Sequence, residues 1–188
     1  MNPRSSELGR TIPLDVRTAE PDDIPALSIL AKRTWADAFG YTVSPEEQAV
    51  ELDEKRSERY FREAFSEDTI LVAEQNGKLV GYVQFGDVKI PEVETWAGDQ
   101  EVHRVYVDTA LHGRGIGREL VGAALSHARL AEAKRVFLQV WEKNKNAIGL
   151  YESLGFKVIG TTKFTIGSGE VVEDLVMLLD KQKPDSSL

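Results

Sequence analysis

Residues 101–107 (EVHRVYV) read as a β-strand, residues 112–117 (HGRGIG) as a glycine turn, and the residues beyond as an amphipathic helix marked by Ile116, Leu120, Val121, Ala124, Leu125 and Ala128. A largely apolar strand, RVFLQVW at 135–141, follows. This unit has the length and order of a parallel βαβ crossover, around which the rest of the chain is expected to be arranged. The glycines at the strand-to-helix junction let the backbone approach a ligand where the first helical N–H groups are unpaired, and such a terminus attracts phosphate through its donors and dipole. Arg114 and Arg118 can add charge-assisted contacts. A tight structural turn would explain the same glycines. The motif is not a dinucleotide fingerprint, because Arg118 stands where the last glycine of GxGxxG would fall, and no Gly-Lys-Ser/Thr follows to make a nucleotide P-loop.

Upstream, residues 14–18 alternate as a first strand, and Pro21 and Asp22 open a helix whose apolar stripe runs through Ile24, Leu27, Leu30, Ala31 and Trp35. Ser44-Pro45-Glu46-Glu47 opens a second, heavily charged helix expected to run to about Phe65. Residues 69–74 (TILVAE) and 78–85 (KLVGYVQF), joined through Asn76-Gly77, form a hairpin whose turn demands positive φ. Residues 86–100 read as a loop able to flank a pocket. Downstream, residues 144–154 form a short helix closed by Gly155, and strands at 156–164 and 171–179 finish the domain. The order is β-α-α-β-β-β-α-β-α-β-β, an α/β (α+β) arrangement with a mixed sheet and helices on both faces. One domain is expected over residues 13–180, with flexible tails at 1–12 and 181–188.

The formal net charge of -8 argues against a nucleic-acid partner, which would need clustered Lys and Arg, and suits a cationic small molecule. With no cysteine in the chain, disulfides, thiolate metal sites and acyl-cysteine chemistry are excluded. The three histidines lack the paired spacing of a metal site, so no metal is expected. No apolar run approaches the ~20 residues of a membrane span, and the expected location is the cytoplasm.

A second constellation, WEKNKNAIGLYESLGF at 141–156, joins a strand end, a polar loop and a helix. Asn144 and Tyr151 are two helical turns apart and so address one ligand from similar faces. Together with EVHRVYV and HGRGIG, in this order, the run resembles the GNAT superfamily of acetyl-CoA-dependent N-acetyltransferases. The C-terminal third, from VWEKNKNAIGLYESLGF through Gly160, Phe164 and Gly167 to Asp174-Leu175-Val176-Met177, is similar to the bacterial spermidine/spermine N-acetyltransferases of the PaiA type. The resemblance implies a mostly antiparallel, twisted sheet of about seven strands flanked by about four helices.

It further implies that Val105, Tyr106 and Val107 lend backbone hydrogen bonds to the pantetheine arm of acetyl-CoA where a bulge splays their strand from its neighbour. Gly113, Arg114, Gly115, Ile116, Gly117 and Arg118 would hold the pyrophosphate, Asn144 and Ala147 would meet the pantetheine, and Tyr151 would protonate the departing thiolate. His112 stands where relatives carry Gln or Arg, so only the backbone there is expected to serve. The acceptor, an amine with an unperturbed pKa of about 10, must lose a proton before attack. Glu101 occupies a position where relatives often place the base, and His103 is its rival; by strand parity both share a face with Val105, short of a bulge. The backbone N–H of Val107 is placed to stabilise charge on the acetyl oxygen. The acceptor pocket is expected to draw on the first two helices, the loop from Asp87 to Gln100 and the last hairpin, with Glu92, Glu94 and Asp99 as weaker cation-binding candidates. Alternatives are acetylation of a protein N-terminus or lysine, and a non-catalytic acyl-CoA sensor; the family suggests a homodimer.

Overall fold

The computed structural model describes residues 13–91, 93–165 and 171–182, with the backbone alone at 164, 165, 171 and 172. The tails expected at 1–12 and beyond 182 lie outside the described residues, as do Glu92 and the tip of the last hairpin. The elements are β1 (Asp15–Thr18), α1 (Ile24–Phe39), α2 (Pro45–Arg56), α3 (Glu58–Glu67), β2 (Thr69–Gln75), β3 (Lys78–Asp87), β4 (Gln100–Val107), α4 (Ile116–Ser126), α5 (Ala128–Ala131), β5 (Arg135–Trp141), α6 (Lys145–Ser153), β6 (Lys157–Thr165) and β7 (Val171–Asp180).

The strands form one sheet in the order β1-β2-β3-β4-β5-β7-β6, mixed and mostly antiparallel, with β4 and β5 the parallel pair of the crossover. This is the seven-stranded mixed sheet flanked by helices that was expected, with six α-helices among the described residues in place of about four. The charged second helix is cut at Ser57, whose extended backbone (ψ 165°) breaks the α2 ladder while its hydroxyl accepts the Tyr60 N–H and starts α3. His127 likewise ends α4 and accepts the Arg129 N–H at the start of α5. Local capping chemistry overrode a continuous helical pattern in both places. Asn76 and Gly77, at φ 55° and 69°, make the β2–β3 turn as the pair required.

The sheet carries apolar layers on both faces. On one, Leu120, Val121 and Ala124 of α4 and Leu130 of α5 pack on Val83, Phe85, Leu138 and Met177, with Ile148 and Tyr151 of α6. On the other, Leu27, Leu30 and Ala31 of α1 and Phe61 of α3 cover Val72 and Tyr82. Each fully buried Leu or Phe contributes roughly 1.5–3 kcal/mol, so these layers hold the helices in place. A third cluster, Ile90, Phe137 and Val176, extends the α1-side face across β5 and β7. No helix among the described residues is long and apolar enough to cross a membrane.

The loop between β3 and β4 packs on this third cluster, and its ends line a small second cavity of about 280 Å³. Val88 and Val93 pack on the cluster, the Asp99 carboxylate accepts the Trp96 N–H at 2.7 Å and binds Arg135, and the Arg135 guanidinium lies 3.7 Å over the Trp96 ring. Asp99 is therefore engaged in a buried ion pair with Arg135.

Candidate active site

β4 and β5 pair over only three register positions, Gln100↔Val136, Glu101↔Phe137 and Val102↔Leu138, and then diverge. The cause sits on the other edge of β4. Val102 is opposite Phe85 and Arg104 opposite Gln84, so His103 is the extra residue of a bulge that bends the strand away from β5. The bulge also inverts the alternation. Val105 and Val107 share the α4 face with Val102, and Tyr106 packs on the α1 side, so Val105 does not share the face of Glu101 as simple parity suggested. The splay opens a cleft of about 1030 Å³ that runs through the sheet, lined by Val105, Tyr106 and Val107 on one strand and Gln139, Val140 and Trp141 on the other.

On the α4 side the cleft meets an uncapped helix terminus. Gly115, the N-cap of α4, has φ 83° and no side chain to accept the first amides, and Gly113 has φ 76°. The first ladder bond is Glu119 N–H to Gly115 C=O, which leaves the N–H groups of Ile116, Gly117 and Arg118 for another acceptor. A Cβ built at Gly113 or Gly115 would meet nothing within 4 Å, so these glycines are required by their backbone angles and the space beside them is open. The approach is tied to α1: Asp108 accepts from Arg33 at 2.6 Å and Thr109 donates to Asp37 at 3.0 Å.

Gly113, Gly115, Ile116, Gly117 and Arg118 all line the cleft, whereas Arg114 does not. The Arg118 guanidinium donates to Ser153 Oγ at 2.7 Å and so stitches α4 to α6. His112 lines the cleft, but its Nε2 lies 3.0 Å from the Val107 carbonyl; since a carbonyl only accepts, that nitrogen carries the proton and closes the turn.

α6 supplies the facing wall with Asn144, Ala147, Leu150 and Tyr151. Asn144 is also the N-cap, its Oδ1 accepting the Ala147 N–H at 3.1 Å. The Tyr151 ring is 7% exposed and packs edge-on to Phe156 at 5.9 Å. Burial, then the neighbouring Tyr106, pushes the Tyr151 phenol up, so it holds its proton throughout the neutral range.

The expected bases sit differently. Glu101 does not line the cleft: it is 6% exposed, and its carboxylate accepts the Lys89 N–H at 2.6 Å. Burial raises its pKa against that hydrogen bond. His103 does line the cleft, yet both ring nitrogens are taken, Nδ1 at 3.3 Å from Asp68 and Nε2 at 2.9 Å from the Asp87 carbonyl, with Glu101 at 3.9 Å. Burial would raise Asp68, but the hydrogen bonds from His103 and Gln84 outweigh it and bring its pKa to about 2.

The α1 side of the cleft is walled by Trp35 and Phe39, 6.1 Å apart, and by Trp141, 5.9 Å from Phe39. Trp35 and Phe39 are one turn apart on α1, a pairing the helical stripe could have revealed had it been extended by one residue. Asp174 of β7 also lines the cleft. Its signal in the sequence is an acid inside the largely apolar strand VVEDLVML, which by itself carries no role.

Residues 33–156 match the acetyltransferase (GNAT) family. An uncharacterised N-acetyltransferase of Mycobacterium tuberculosis is 32% identical over 150 residues, covering 78% of this chain and 90% of the relative. The spermine/spermidine N(1)-acetyltransferase of Bacillus subtilis is 31% identical over 100 residues, 53% of this chain and 65% of that protein. Among solved structures, the PaiA N-acetyltransferase of Thermoplasma acidophilum in complex with coenzyme A superposes with a TM-score of 0.72 at 20% identity, covering 90% of this chain and 99% of that one. The splayed strands, the uncapped α4 terminus and these matches agree, and the chain belongs to the GNAT acetyltransferase family as an N-acetyltransferase.

Proposed function

We propose that this protein transfers the acetyl group of acetyl-CoA directly to a primary amine, with a polyamine such as spermidine or spermine as the first acceptor to test. The observation that carries the reading is the joining of an open, uncapped helix terminus and a buried, protonated phenol in one cleft that crosses the sheet. Acetyl-CoA supplies the activated acyl group and a thiolate leaving group. The amides of Ile116, Gly117 and Arg118 suit its pyrophosphate, because three donors and the helix dipole converge on open space. The backbone of Val105, Tyr106 and Val107, freed from β5 by the splay, is available to an extended pantetheine arm, and Asn144 and Ala147 border the same path. Tyr151 holds the proton that the thiolate needs.

Support for a polyamine comes from the name of the Bacillus relative, from the PaiA likeness and from the net charge of -8. The test is calorimetry with coenzyme A, followed by thiol release from acetyl-CoA with spermidine, spermine, putrescine and an alanine-ended peptide. We expect coenzyme A binding, turnover that favours a polyamine, and for Tyr151→Phe a kcat lower by about 100-fold at unchanged coenzyme A affinity. Absence of coenzyme A binding would reject the reading, and preference for the peptide would move the acceptor to a protein N-terminus.

A further inference from the structure

An acceptor amine arrives as an ammonium ion and has to give up a proton inside the cleft. Few groups there are free to take it. Glu101 is turned to Lys89, and the ring nitrogens of His103 face Asp68 and the Asp87 carbonyl. Glu51 binds Lys55 and Arg56, each at 2.9 Å, and Glu47 closes the capping box with the Ser44 N–H. Asp174 differs from all of these: its backbone belongs to the β7 ladder, but among the described residues its carboxylate has no hydrogen bond and no ion pair, although it is partly buried and lines the cleft.

Its placement follows from register. Asp174 lies opposite Trp141 on β5 and Thr162 on β6. Leu175, Met177 and Leu179 of the same strand pack on the α4 side, while Val176 and Leu178 pack with Phe137 on the α1 side, so alternation puts Asp174 on the α1 side as well. The ring of Trp141 and its neighbour Phe39 wall that side. A carboxylate withdrawn from water without a partner is costly, and it is retained where a cation comes to meet it.

We propose that Asp174 is the carboxylate that receives the acceptor's ammonium group and takes its proton. This rests on the reading of the cleft as an acetyl-transfer site. One N–H proton of the ammonium passes to the Asp174 carboxylate, and the freed lone pair forms the bond to the acetyl carbon. The C–S bond breaks with its electron pair on sulfur, which takes the Tyr151 phenolic proton. The second nitrogen proton returns to the Tyr151 phenolate, and Asp174 releases its proton to water, so the balance is one amide, one thiol and one proton. Burial raises the Asp174 pKa, which brings the carboxyl closer to the amine it deprotonates. The aromatic wall beside it favours an amine on an alkyl stem.

The experiment compares the parent with Asp174→Asn, using the best amine of the panel. We expect kcat/KM for that amine to fall at least about 100-fold and its calorimetric affinity for the coenzyme A complex to fall about tenfold or more. The affinity for coenzyme A alone should not change, and the melting temperature should not fall, because the substitution removes a carboxylate whose burial is unfavourable. A variant within about threefold of the parent in kcat/KM overturns the proposal, as does a loss matched by equal weakening of coenzyme A binding, which marks a structural role. A parent that binds coenzyme A but acetylates none of the amines sinks the transfer reading, and the role of Asp174 with it. Normal turnover with an unaffected variant removes Asp174 alone.

Discussion

The two sides of the cleft recognise what enters them by different means. On the α4 side the groups available to a ligand belong to the backbone: the N–H donors of Ile116, Gly117 and Arg118 and the β5-facing edge of β4 from Val105 to Val107, which stays paired with β3 on its other edge. On the α1 side they belong to side chains: Trp35, Phe39, Trp141 and Asp174, brought together from α1, β5 and β7. Backbone donors depend on φ and ψ and tolerate change in most side chains around them, so the first side suits a ligand common to a whole family. Side-chain walls change with each substitution, so the second side is where relatives on one fold can part in their acceptors.

The comparison is most exposed at Gly115. Gly115→Asp sets a carboxylate beside the free amides, where it repels phosphate, and strains a left-handed backbone position, so the coenzyme A dissociation constant should rise about 100-fold, or some 2.7 kcal/mol. Calorimetry reads this directly, and unchanged affinity would show that the α4 terminus is not the anion site.

A smaller effect is expected where the α1 side rests on its buried ion cluster. Asp68 is held at a pKa of about 2 against an ordinary 3.8, so its charge contributes stability that is fully present above pH 4 and is lost as the pH falls toward 2. Asp68→Asn should therefore cost about 2 kcal/mol at pH 7, and the gap from the parent should close in acid. Urea unfolding at pH 7 and at pH 3 measures both. Coenzyme A affinity should not move, which separates the two sides of the cleft.

The smallest change falls on α6. Asn144→Ala removes the bond to the Ala147 N–H, at a cost of about 1 kcal/mol and roughly 2–4 °C in melting temperature. Its effect on coenzyme A affinity should stay below about tenfold, because the α4 amides remain. A larger loss would mean that the Asn144 carboxamide holds the ligand more than it holds the helix.

Much of the α4 side was readable in the chain. The run from Val105 to Tyr151 carries strand, glycine turn, helix, strand and helix in an order that permits few folds, and the elements at 69–75, 78–87, 135–141 and 145–153 lie within about two residues of expectation. The break at Ser57 was missed because a single serine hydroxyl, accepting one N–H, outweighed a long charged pattern. Glu101 and His103 were picked out for their position on β4, and they do lie together, but the chain could not show that Lys89, Asp68 and the Asp87 carbonyl would occupy their polar atoms.

From its residues alone, this protein has a βαβ unit whose glycines demand left-handed backbone just ahead of a helix, and that is a local property, because φ preferences and capping act over a few neighbours. Where the bulge falls on β4, how far β5 swings from it, and which acid is left unpaired in the gap were decided by packing on both faces of the sheet. Trp35, Trp141 and Asp174 line one cleft although more than a hundred residues separate Trp35 from the other two, and no local rule links them; only burial of the two apolar layers brings those side chains to one place.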